Sequence, residues 1–283
     1  MRNRRFVWLL ALLAAFSLVA AACGGDDNGN GTDATPTGTE TTDEPAFTTI
    51  EEGILTVGSD IPYPPFEYRE NGELVGFDIE VMNEIASRLG LTPEYIDTGF
   101  TGIFVQVATG SFDVVIAAST ITPEREETVN FSDPYYLSQQ SLTVKAGSDI
   151  ATTDDLGEGH VVGVQSGTTG EAWAEDNLTA QGVEIRAFPE GPDAYTALES
   201  EEVDAAINDE PTAIAEVAAR EGLEVVQAID TGEAYGIAVD PNNEALLAAI
   251  NEALAGMIED GTYESIYANY PDLPPNGNVA ATA

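Results

Sequence analysis

Arg125 is the residue whose surroundings carry the most chemistry. It follows an apolar run, Val114-Val115-Ile116-Ala117, that gives way to Ala118-Ser119-Thr120, and the segment closes on Phe131-Ser132-Asp133-Pro134-Tyr135-Tyr136. A guanidinium is a planar, two-pronged donor matched to a carboxylate, and hydroxyls and freed backbone N–H groups at a strand end add further donors. The stretch from Ala118 to Tyr136 therefore suits gripping a carboxylate. A plainer reading stands beside it. Glu124, Glu126 and Glu127 flank Arg125, and a solvated salt bridge among such neighbours contributes little.

The rest of the composition removes many other chemistries. The 283 residues are 43 % hydrophobic, enough to bury a real core in one or two domains. Nine Lys and Arg face 50 Asp and Glu, a net charge of −41, so no basic patch can form to neutralise a nucleic acid. His160 is the only histidine, Cys23 the only cysteine and Lys145 the only lysine. A Cys-rich zinc site and a Cys–His pair are thereby excluded, no phosphate-cradling Gly-Lys-Ser/Thr loop exists, and a serine triad would have to run through His160. Gly163-Val164-Gln165-Ser166-Gly167 is one residue out of step with a nucleophile elbow. No metal site and no cofactor are expected.

The elements that must position Arg125 begin after a long leader. Residues 1–22 carry Arg2, Arg4 and Arg5, then an apolar run to Ala22, and read as an export signal rather than a spanning helix. It resembles a bacterial lipoprotein signal, in which Cys23 becomes the lipidated first residue, although Ala20 stands where Leu is favoured. Its removal changes the charge to −41 − 3 = −44. Residues 23–47 are Gly, Asp, Asn, Thr, Pro and Glu with little to bury, a tether expected to be disordered. Folded sequence then alternates. Ile54–Val57 reads as a strand, and the loop Asp60 to Glu67 contains three prolines that forbid regular structure. A helix opens at Asp78 as cap, with Val81, Ile85 and Leu89 as its apolar stripe and Gly90 as its stop. Thr101–Thr109 reads as a helix and Phe112–Ala117 as a strand. Further strands are expected at 161–164, 183–188, 203–207, 223–229 and 235–239, with helices at 169–177, 193–198, 210–220, 244–258 and 263–267. Alternation of this kind means α/β with mostly parallel sheets, whose ligands sit outside the strands' carboxyl ends. The loops at Asp60, Thr120 and Asp209 all leave such ends. The tail, 273–283, reads as disordered.

Several blocks together resemble one family. Tyr63-Pro64-Pro65-Phe66-Glu67, Gly76-Phe77-Asp78-Ile79-Glu80-Val81, Thr120 to Arg125, Gln165-Ser166-Gly167-Thr168-Thr169-Gly170-Glu171, Ile207-Asn208-Asp209, Tyr235 to Val239 and Gly261 to Tyr267 stand in the order and spacing of the extracellular solute-binding proteins of family 3, the polar amino-acid binding proteins of ABC importers. The resemblance covers about Leu55 to Tyr270. It implies a type II, periplasmic-binding-protein-like fold. Lobe 1 would span 48–137 and 236–272 and lobe 2 138–235, with the ligand closed in the cleft between them by hinge motion. It also implies that Arg125 forks onto an α-carboxylate, helped by Thr120 and the backbone of Thr169. Asp209 and the Ala118 carbonyl would take the α-ammonium, Tyr63 and Phe100 would sandwich the side chain, and Asp60 would meet its distal end, with Gln165 and Thr168 nearby. Plainer roles remain open: Asp209 as a helix N-cap, Asp60 as a turn residue, Tyr63 and Phe100 as core aromatics.

A carboxylate at the distal end favours arginine, lysine, histidine or the amide of glutamine over acidic ligands. The expected partners are thus a free amino acid and an ABC permease with its ATPase. The expected state is a monomer held on the outer face of the cell membrane by its lipid alone, with no nucleic acid. The competing class is an enzyme, since dehydratases acting on prephenate or arogenate resemble this family and could use a cleft carboxylate as general acid.

Overall fold

The computed structural model describes residues 47–281, all within one compact unit, 43–283. The export signal, Cys23 and the tether up to residue 46 lie outside the described residues. The described chain opens with β1 (Ile54–Ser59), whose Leu55 and Val57 are completely buried. After the proline loop come the hairpin strands β2 (Tyr68–Glu70) and β3 (Glu73–Val75), then helix α1 (Phe77–Arg88). Gly76 precedes α1 with φ 135°, and a Cβ there would lie 2.0 Å from the Phe66 carbonyl oxygen, so only glycine fits. The expected Asp78 cap is corrected. The cap position is Gly76, and Asp78 is buried in the first turn with its carboxylate turned into the protein.

β4 (Thr92–Asp97), absent from the sequence reading, lies parallel to β1 and carries Pro93, which an edge strand tolerates. Helix α2 (Ile103–Ala108) is shorter than its expected span, and only Val114–Val115 forms β5, parallel to β1. Then come the single-turn α3 (Pro123–Glu126) and β6 (Asn130–Phe131).

The chain next builds a second sheet. β7 (Tyr136–Lys145) leads to β8 (Val161–Gln165), α4 (Thr169–Leu178), β9 (Glu184–Phe188), α5 (Gly191–Glu199), β10 (Ala205–Asp209), α6 (Glu210–Ala219) and β11 (Leu223–Tyr235). Its order is β11-β7-β10-β8-β9, with β8 parallel to its two neighbours and β7 antiparallel to both of its own. The chain returns to the first sheet with β12 (Ala238–Val239), followed by α7 (Glu244–Glu259) and α8 (Thr262–Tyr267). β12 lies antiparallel between β5 and β6, giving the order β4-β1-β5-β12-β6. The strand expected over 235–239 is therefore two strands in two sheets, split at Gly236-Ile237.

Outgoing β7 and returning β11 pair with each other from Leu223 opposite Lys145 to Tyr235 opposite Tyr136. Their register breaks between Ile229 and Glu233, where Gly232 takes φ 62°. Such a bulge re-aims side chains and strengthens local twist. Apolar clusters cover both faces of each sheet. The first core is built on Phe66, Phe77, the α7 stripe Leu246, Ile250 and Leu254, and Tyr136 and Tyr235 from the ends of β7 and β11, with Ile103, Val107 and Val115 on the first sheet's other face. The second sheet packs on Leu142, Val162, Val164, Ala205 and Ile207 and, on its other face, on Tyr195, Leu198 and Ala206. The tail corrects the sequence reading as far as Ala281. Pro275–Gly277 and Val279–Ala281 are short 3-10 turns, and Leu273 and Val279 are buried in the first core. Gly277 packs so closely that a Cβ would come within 2.3 Å of the Tyr136 ring. Among the described residues no helix is long and apolar enough to cross a membrane.

Candidate ligand site

The residues singled out from sequence come from strand ends and the turns after them. Asp60 follows β1, Ala118 and Thr120 lie beyond β5, Gln165 ends β8, and Asp209 ends β10. Together with Tyr63, Phe100, Arg125, Thr168 and Thr169 they line one cavity, to which Ala117 also contributes. Carboxyl ends of strands in both sheets thus converge on one space.

Arg125 is held at one end. Its Nη1 donates to the Thr120 carbonyl at 2.7 Å and its Nη2 to the Gly167 carbonyl at 3.2 Å. Its guanidinium lies 5.1 Å and 4.8 Å from the ring centroids of Phe100 and Phe104, within cation–π range. Glu124, Glu126 and Glu127 form no ion pair with it, and no ion pair to Arg125 occurs among the described residues. The salt-bridge reading is thereby overturned. Burial lowers its pKa, as expected for a desolvated cation. Thr122 caps α3 by accepting the Arg125 N–H, which fixes where the side chain starts.

Asp209 occupies the N-cap position of α6 but makes no side-chain capping bond. Its carboxylate instead accepts from the hydroxyls of Tyr63 and Tyr235 and from Gln140 Nε2. Burial, then the nearby Glu233, pushes it up to about 7 despite those donors. Asp60 Oδ2 accepts from Gln165 Nε2 at 2.6 Å, whereas its Oδ1 is buried and no well-formed hydrogen bond satisfies it. Burial raises Asp60 to about 7; the Gln165 bond opposes this, and the fields of Glu190 and Asp97 reinforce it. Tyr63 and Phe100 are both buried, and Tyr63 Oη reaches Asn208 Oδ1 at 2.7 Å as well as Asp209.

Glu233 is the residue the sequence did not single out. It is 7 % exposed, beside the register break of β11. Its Oε2 accepts from the hydroxyls of Thr120 (2.6 Å) and Thr169 (3.0 Å), and its Oε1 from Gln140 Nε2 (2.9 Å) and the Thr231 hydroxyl (3.0 Å). The Thr120 proton expected for a ligand carboxylate is therefore donated to Glu233. Thr168 caps α4, accepting from Glu171 N–H at 3.1 Å, which leaves the first N–H groups of that helix as donors toward an anion. Gln140 spends its two N–H bonds on Asp209 and Glu233. The only sequence signal for it was a polar run, Ser138-Gln139-Gln140-Ser141, inside a strand.

A cavity with an unpaired guanidinium at one side, a shielded carboxylate at another and a further half-satisfied carboxylate suits a small solute bearing both charges. The family model for bacterial extracellular solute-binding proteins, family 3, matches residues 55–272. The chain belongs to that family. This solute-binding protein is 36 % identical over 224 residues to the L-cystine-binding protein TcyJ of Escherichia coli (strain K12), covering 76 % of this chain and 82 % of the relative. Among solved structures it is similar to an ancestral arginine-binding protein bound to arginine, at 42 % identity and TM-score 0.74, covering 77 % of this chain and 98 % of the other. An ancestral arginine-binding protein bound to glutamine matches at 42 % and TM-score 0.75, with coverages of 78 % and 99 %. These neighbours are binding proteins of the type II periplasmic architecture, and this chain is likewise a binding protein and not an enzyme.

Proposed function

We propose that the chain is the substrate-binding component of an ABC importer for a basic amino acid, arginine before lysine and histidine, with glutamine second. In this reading Arg125 and the N–H groups opening α4 hold the α-carboxylate, and Asp209 and the Ala118 carbonyl hold the α-ammonium. Tyr63 and Phe100 flank the side chain, and Asp60 receives its far end. An amino-acid zwitterion can enter a dry cleft only if both charges meet partners. The observation that carries the basic preference is the buried Asp60 Oδ1, which no well-formed hydrogen bond satisfies, in a field that Asp97 and Glu190 make more negative and the Phe100 N–H only weakly offsets. The ligands bound in the similar structures, arginine and glutamine, support the same pair.

The two sheets with their separate cores would be the lobes, 48–137 with 236–272 and 138–235, and the β7–β11 ribbon the hinge. Arg125 already bridges the two sheets' loops through Thr120 and Gly167, so a ligand bound there favours the closed form. We further propose that Cys23 is lipidated and that residues 23–47 tether the domain to the outer face of the membrane as a monomer. Retention of a radiolabelled fatty acid by the chain but not by Cys23→Ser tests this.

A thermal-shift and calorimetric screen of free amino acids tests the ligand. A ligand at 100 times its Kd adds about 2.7 kcal/mol of stability. Arginine is expected to bind tightest and glutamine next. Binding of glutamate or cystine with neither of these would sink the role given to Asp60.

A further inference from the structure

Behind the cavity wall lie two carboxyl groups that no role above uses, Glu67 and Asp78, both with no exposed surface. Asp78 Oδ2 accepts from the Ala118 N–H and from the Tyr135 hydroxyl, each at 2.8 Å. Asp78 Oδ1 and both Glu67 oxygens find no conventional donor, and the two carboxyls are in hydrogen-bonding contact with each other. No ion pair reaches either one among the described residues. The other ionisable groups around them are Asp60 and Asp209 on the cavity side and the phenols of Tyr135, Tyr95, Tyr263 and Tyr270, none of which supplies a positive charge. Two carboxylates in contact away from water cannot both be ionised.

We propose that Glu67 and Asp78 hold one proton between them and act as a positioning pair that fixes the Ala118 carbonyl toward the bound ligand's ammonium. Asp78 is the ionised partner because it already accepts two donors. Glu67 is the acid because it has no donor but itself. Burial accordingly drives Glu67 well above the usual carboxylate range and Asp78 up to about 7.

The pair is needed because Ala118 is left-handed, with φ 43°, a conformation that a residue with a Cβ adopts only under constraint. The Asp78 bond to its N–H supplies that constraint, and the Ala118 carbonyl accepts no hydrogen bond among the described residues. Glu67 extends the same network to the cavity's aromatic wall. Its backbone pairs with Tyr63 in both directions, at 2.7 Å and 3.1 Å. One shared proton therefore ties together two parts of the ligand's surroundings without touching the ligand. The positioning half of this proposal rests on the amino-acid reading above; the shared proton does not.

The test joins carbon-13 NMR of side-chain carboxyl-labelled wild-type protein with arginine affinities of Glu67→Gln and Asp78→Asn. One glutamate resonance should remain at the protonated position at pH 7 and disappear in Glu67→Gln. That variant should bind arginine within about twofold of wild type, because an amide N–H replaces the acid O–H. Asp78→Asn should lose at least about tenfold, because its amide cannot accept from all of the same donors. If Asp78→Asn does not fold, the wild-type resonance and the Glu67→Gln affinity decide. Absence of a protonated glutamate, or equal affinities in the two variants, overturns the pair. A wild-type chain that binds no amino acid overturns the ligand reading and with it the positioning role, while the resonance still judges the proton.

Discussion

A half-buried guanidinium whose acceptors are all carbonyl oxygens can receive a carboxylate without first breaking an ion pair. Arg125→Ala should therefore weaken every amino-acid ligand by roughly 2–5 kcal/mol, the cost of truncating one member of a buried charge pair. Asp60→Asn should instead change the order, lowering arginine and sparing glutamine. Calorimetry with both ligands checks the pair of variants, and arginine binding unchanged by Arg125→Ala would remove it from the site. The pH dependence of binding follows from the same groups. Asp60 and Asp209 are both raised to about 7, and both must be ionised to face a cationic ligand. Arginine affinity should therefore rise from pH 5.5 to 8, by up to about tenfold per pH unit for each group below 7. Binding near pH 7 should release protons, which titrations in buffers of different ionisation enthalpy would register. Arg125 was legible in the sequence because cations are so scarce in this chain. Glu233 was not, because it is one of 50 acidic residues and its significance comes from a bulge that no local pattern announces.

At the scale of elements, strongly apolar segments were legible and polar or very short ones were not. α7 shows its stripe through Leu246, Ile250 and Leu254, whereas β4 reads Thr-Pro-Glu-Tyr-Ile-Asp and escapes notice as an edge strand. The tail misled for a related reason. Pro, Gly and Asn dominate its composition, yet Leu273 and Val279 are enough to seat it on the first core. Ending the chain at Asp272 removes both side chains, and burying one such residue contributes about 1.5–3 kcal/mol. Denaturant unfolding should show the shortened protein less stable by roughly 3–5 kcal/mol, and an unchanged midpoint would mean that the tail contributes nothing. Asp78 was legible as the start of α1 but not as an inward-facing group, since cap and buried acceptor share the same sequence position.

For the whole molecule, the buried acids set an unusual balance between stability and binding. Asp60, Glu67, Asp78 and Asp209 all hold protons more tightly folded than unfolded. Their stabilising contribution is complete below their unfolded values near 4 and is lost as pH rises through about 7 and, for Glu67, higher. The melting temperature of the ligand-free chain should thus climb as pH is lowered from 8 toward 5, following a gain in unfolding free energy on the order of a few kcal/mol. A flat profile would contradict the buried environment of these groups. Relief of repulsion within a chain of charge −41 acts in the same direction. Arginine affinity is expected to move the opposite way, so the best-folded conditions would not be the best-binding ones. The path of the chain has a consequence of its own. The second sheet uses only residues between 136 and 235, whereas the first lacks β12, the strand that joins β5 to β6, until residue 239 has arrived. A polypeptide threaded outward from its N-terminus would therefore complete the later-coded body first and keep the earlier one waiting with an open seam. Pulled apart between its ends and allowed to refold in an optical trap, the chain should first recover a block matching 235 − 136 + 1 = 100 residues. Recovery beginning instead with the segment before residue 136 would reverse that order of assembly.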